Sequence, residues 1–94
     1  MARWQGRLPV AALRFTQRFF RGAQHFTASE RVALHQTLRA IEAAPELPAP
    51  EDVATVIPPS MRAWRRRVAA SDRYVYFVVR PDGVVDIVGA GGLI

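Results

Sequence analysis

Three arginines and two tyrosines late in the chain have the types and spacing to grip a polyanion: Arg65, Arg67, Arg73, Tyr74 and Tyr76. Arg65 and Arg67 lie two apart in Met61–Val68, so a strand there aims both from one face. Tyr74 and Tyr76 repeat that spacing in the aromatic and β-branched run Arg73–Arg80. If the polar turn Ala69–Asp72 keeps even register, the four side chains share one sheet face. Guanidinium forks there can hold phosphates, and phenol rings can stack on bases. The competing reading is an edge strand kept from aggregating by its charge. Arg73 has the parity of Val75, but as a first strand residue it can splay out to a ligand or pair with Asp72. Arg66 has core parity and is expected to snorkel at the sheet margin.

Other chemistry finds little support in the residues. There is no cysteine, and His25 and His35 show no metal-ligand spacing, so neither a metal site nor a cofactor is expected. No serine stands in a nucleophile elbow. Gly89-Ala90-Gly91-Gly92 follows a strand with no helix after it, which reads as a loose end and not as a phosphate loop. Arginine does not deprotonate in proteins, and unperturbed phenols titrate near about 10. The five residues therefore offer charge stabilisation without an evident general base.

All thirteen basic residues are arginine; eight are acidic, leaving a net charge of +5. Such a surface favours an anionic partner, either nucleic acid or an acidic protein. At 94 residues, half of them apolar, residues 1–94 read as one folded domain. The lack of cysteine suits a reducing cytoplasm. No run approaches the roughly 18 apolar residues of a membrane span. The first 29 positions carry five arginines and no carboxylate. An organellar targeting segment or membrane-surface helix would look like this, and so would the basic face of an ordinary helix, the reading we favour.

These residues need a scaffold, and the patterning supplies one. Arg3–Leu8 reads as a short edge strand and Val10–Arg21 as a helix. On that helix Leu8, Ala12, Phe15 and Phe19 share a face, Arg14, Arg18 and Arg21 lie opposite, and Gly22 is the stop. Thr27-Ala28-Ser29-Glu30 is a capping box opening a helix over Ala28–Ala43, whose buried stripe is Leu34, Leu38 and Ile41. Pro45 ends it. Proline-rich Glu46–Ser60 is an extended connection, with Val53–Ile57 a short strand or turn. Pro81-Asp82-Gly83 is turn chemistry. A type I turn with a glycine bulge sets Val79 opposite Val85 and Phe77 opposite Ile87. One face is then apolar: Val75, Phe77, Val79, Val85, Ile87. The other is mixed: Tyr74, Tyr76, Val78, Val84, Asp86, Val88. The fold class is α+β, with an N-terminal short strand, a helical hairpin and a C-terminal antiparallel sheet.

This layout resembles the RelE/ParE superfamily of bacterial type II toxins. Arg73-Tyr74-Val75-Tyr76-Phe77-Val78 is similar to its "Y-R-h-h-Y-x-h" strand, and Val84-Val85-Asp86-Ile87-Val88 to the strand after it. The helical pair ending in Ala44-Pro45 fits as well. The resemblance implies a cytoplasmic toxin paired with an antitoxin and acting on RNA or the ribosome, with no cofactor. It also implies that Arg65, Arg67 and Arg73 hold the mRNA backbone, Arg73 being the catalytic candidate. Asp72 stands where the family has tyrosine, and Gly92 and Leu93 where it has a basic pair. Binding without intrinsic cleavage is therefore expected. The rival expectation is a non-catalytic interaction module whose basic face takes an acidic or amphipathic protein segment.

Overall fold

The computed structural model describes residues 12–94. The edge strand expected over Arg3–Leu8 and the helix start at Val10 lie outside the described residues. The element order is β1 (Ala12–Phe15), α1 (Gln17–Ala23), α2 (Ala28–Ala43), β2 (Val53–Ile57), β3 (Met61–Arg67), β4 (Tyr74–Val79) and β5 (Val84–Gly91). The five strands form one sheet in the order β1-β5-β4-β3-β2. Every pairing is antiparallel except β1 with β5, which is parallel. The α+β class and its order of strand, two helices and sheet match expectation, and Val53–Ile57 is the added strand.

The first helix corrects the periodicity argument. Ala12–Phe15 is a strand, and Thr16 opens a helix only seven residues long. The Thr16 hydroxyl accepts a hydrogen bond from the Phe19 N–H at 3.2 Å and donates to the Ile87 carbonyl at 3.2 Å. One side chain thus caps α1 and fixes the strand before it. Threonine is favoured at an N-cap and indifferent inside a helix, a signal that the spacing of Phe15 and Phe19 concealed. Nor does Gly22 stop the helix, which continues to Ala23. Its role is close approach: a Cβ there would lie 1.8 Å from the Ala90 carbonyl oxygen. Only glycine lets α1 seat so tightly on β5.

The capping box of α2 forms as the sequence requires. The Thr27 hydroxyl accepts from the Glu30 N–H at 3.2 Å, and the Glu30 carboxylate accepts from the Thr27 N–H at 2.9 Å. Both helices lie on the sheet face that carries Val75, Phe77, Val85 and Ile87, burying Phe19, Phe26, Leu34 and Ile41 against it. Phe15, expected in this core, is 41% exposed because it belongs to the edge strand.

The β4–β5 turn is the one read from Pro81-Asp82-Gly83. Gly83 takes φ +90°, its N–H donates to the Arg80 carbonyl at 3.0 Å, and Val79 and Phe77 face Val85 and Ile87. Farther along, Tyr76 pairs with Gly89, so Val88 is an extra residue and the strand bulges. Between β3 and β4, Ala70 sits at φ +57°. Alanine is strained there and glycine is not, although glycine also gives the unfolded chain more freedom. Ala70→Gly is expected to stabilise by about 0.5–1 kcal/mol, measured as a shift of the urea midpoint at constant slope.

Candidate functional site

The β3–β4 turn keeps even register. Arg65 lies opposite Tyr76, Arg67 opposite Tyr74, and the Val68 N–H donates to the Arg73 carbonyl at 2.8 Å. Arg65, Arg67, Tyr74 and Tyr76 therefore share the sheet face turned away from the helices. Their accessibility differs. The Arg65 guanidinium stands over the Tyr74 ring at 5.6 Å, and its Nε is buried without a hydrogen-bond partner among the described residues. Arg67 is exposed, and its Nε donates to the Ser71 carbonyl at 2.8 Å. That bond leaves the remaining N–H groups of the fork free for a ligand.

Tyr76 corrects the stacking surface. It is 1% exposed, in a small cluster with Ile57, Ala63 and Val88 on this same face. Its hydroxyl donates to the Gly92 carbonyl at 2.7 Å and accepts from the Ile94 N–H at 3.2 Å, so the segment after β5 covers it. Burial pushes the phenol above its ordinary value. The ring cannot stack on a base, and the proton is committed. Of the two tyrosines, Tyr74, half-buried, remains as an aromatic neighbour of the arginines.

Arg73 is not on this face. Its parity places it on the helix side, 3.5 Å from the Glu30 carboxylate and 5.2 Å over the Phe26 ring. One NH2 group donates to the His25 carbonyl at 3.4 Å. Glu30 lies below the usual carboxylate range, chiefly because the Thr27 N–H donates to it and further because Arg73 is near. Arg73 thus ties β4 to the start of α2, apart from Arg65 and Arg67, and the Asp72 pairing is replaced by Glu30. No local signal links residues 30 and 73; the sheet topology brings them together.

Arg66 does not snorkel. It is 6% exposed and forms a two-bond fork with the fully buried Asp52 carboxylate, Nε to Oδ1 at 2.6 Å and NH2 to Oδ2 at 2.9 Å. The Asp52 bond is the main reason its guanidinium rises above the ordinary arginine value. This arginine is structural and belongs to the helix side, whereas Arg65 and Arg67 stand two residues apart on the outer face of β3. Among the described residues no three metal-ligating side chains cluster, and no helix is long and apolar enough to cross a membrane. Comparison with known proteins finds no matching family model, and no curated protein matches the chain.

Proposed function

We propose that the chain is an RNA-binding protein of RelE/ParE toxin type, holding the sugar–phosphate backbone on the face of Arg65, Arg67 and Tyr74 without cutting it. The placement of the Arg65 and Arg67 guanidinium groups two residues apart on one sheet face, with the Tyr74 ring against Arg65, carries this reading. The buried Arg65 Nε is itself closed to a ligand, so an incoming phosphate oxygen would accept from the terminal N–H groups of the two forks. The Tyr74 ring holds the guanidinium plane in place for that acceptor. Cleavage would need a proton donor and acceptor at the 2′-hydroxyl and the leaving oxygen. The Tyr76 hydroxyl is buried and bonded twice, and Arg73 lies across the sheet. The RelE/ParE type rests on the strand patterns of β4 and β5 and on the order of elements. An antitoxin-like acidic segment would compete for the same arginines.

Arg65→Ala/Arg67→Ala is expected to lower the slope of log K against log salt for single-stranded RNA by about 1.4, at about 0.7 per phosphate contact. The control Arg31→Ala/Arg39→Ala, which removes two exposed charges from α2 on the other side of the sheet, should change it little. Equal losses in both doubles would make the binding diffuse electrostatics. Expression in a bacterial host should leave mRNA intact, and arrest with mRNA cleavage would overturn the non-cleaving part of the reading.

A further inference from the structure

A second basic site shares no side chain with Arg65, Arg67 and Tyr74. Arg18 and Arg21 lie one turn apart on α1, and His25 follows in the loop to α2; all three are exposed. They line an open cavity of about 500 Å3 whose opposite wall is the backbone run Gly89–Gly92. None of the side chains lining it is acidic. Among the described residues no carboxylate is within ion-pairing distance of Arg18 or Arg21. Nor does any acidic residue precede them in the chain.

The fold holds this arrangement at fixed spacing. The missing Cβ of Gly22 seats α1 on the Ala90 carbonyl, which fixes the distance from the arginines to the glycine run. Arg73 donates to the His25 carbonyl and holds the loop that carries the imidazole. Ile57, Tyr76, Leu93 and Ile94 complete the lining, so the charged groups that can meet a ligand are Arg18, Arg21 and His25. The charge count selects the ligand. A phosphate monoester carries about −1.5 to −2 at neutral pH and three acceptor oxygens, whereas a diester carries a single charge. Two guanidinium forks and an imidazole match the monoester. The volume exceeds that of bare phosphate and falls within the roughly 300–1,000 Å3 of small-molecule sites, leaving room for the attached nucleoside.

We infer that the cavity between α1 and the end of β5 binds a phosphate monoester, carried either by a free nucleotide or by the 5′ end of an RNA. The inference is independent of the sheet-face reading, and one experiment separates the two. Binding of a short oligoribonucleotide with a 5′-phosphate is compared with that of its 5′-hydroxyl twin, with adenosine monophosphate as competitor. The full-length protein should prefer the phosphorylated oligomer by about tenfold, the worth of one charge-assisted hydrogen bond. Arg18→Gln/Arg21→Gln should abolish the preference while keeping the wild-type circular dichroism, since both side chains are exposed. Arg65→Ala/Arg67→Ala should weaken both oligomers alike and leave their ratio unchanged. Competition by the nucleotide assigns the site to free nucleotides; preference without competition assigns it to RNA ends. Equal affinity for the twins together with no binding of the nucleotide overturns the inference. So does a preference that survives in Arg18→Gln/Arg21→Gln.

Discussion

Asp52→Ala is expected to destabilise the fold by about 3–5 kcal/mol, the cost of leaving a buried charge without its partner. Arg66 remains charged, because a guanidinium does not deprotonate in proteins, and its 6% exposure gives it little access to water. Asp52 also accepts from the Ala49 N–H at 2.7 Å, so the same deletion frees a backbone donor in the loop before β2. Glu51 is a poor substitute: its carboxylate is 3.8 Å from Arg66 NH1 and its side chain is 62% exposed. Replacing both partners should cost much less, since an apolar pair of similar volume leaves no buried charge. Asp52→Leu/Arg66→Met is therefore expected to be closer to wild type than Asp52→Ala alone. Urea unfolding of the three proteins checks this. A single variant within about 1 kcal/mol of wild type would mean that Arg66 reaches water or Glu51, and that the pair matters far less than its burial suggests.

Phe77→Ala is expected to cost about 3–5 kcal/mol, from lost apolar transfer and from the cavity left in a packed core. Phe77 has no exposed surface and lies mid-strand in β4, between Trp64 of β3 and Ile87 of β5. Its ring belongs to the cluster with Phe19, Leu34 and Ile41, so the void would open where both helices meet the sheet. Phe77→Leu, which keeps most of the volume, should cost less than about 1.5 kcal/mol. Thermal and urea midpoints of the two variants measure the difference. Similar losses in both would show that the site responds to the ring itself and not to the volume that fills it.

What was legible in the chain was whatever two-residue and four-residue spacing controls. The β4–β5 hairpin follows from alternation plus Pro81-Asp82-Gly83, and the opening of α2 from Thr27 and Glu30, because those bonds join neighbours in sequence. The Arg65–Tyr74 side of the site follows from the same alternation. The remainder depends on partners far apart in the chain. Parity places Arg66 and Arg73 on the helix side but does not show that Asp52 and Glu30 await them. Alternation likewise assigns Tyr76 to the outer face without revealing that Gly92 and Ile94 fold over it. Val88 adds a bulge that no turn residue announces. At β1 two patterns compete over the same residues: Phe15 and Phe19 suit a helix face, yet the Thr16 cap and the pairing with β5 prevail.

The parallel pairing of β1 with β5 bears on how the chain reaches this state. The Thr16 hydroxyl and the Ile87 carbonyl that join the two strands are 71 residues apart in sequence. Closing so long a loop costs entropy before the contact repays it, and proteins dominated by such contacts fold more slowly than those built from local ones. β5 is also the seam of the sheet, flanked by β1 on one side and β4 on the other. During synthesis β1 and α1 emerge well before Val84–Gly91, the strand that pairs with β1 and seats α1 at Gly22. The β2–β3–β4 meander, whose pairings are all between sequence neighbours, can assemble earlier and wait with one side of β4 open. Docking of β5 is then expected to join the two halves late, and a nascent chain stalled before residue 84 would expose unpaired strand edges on both.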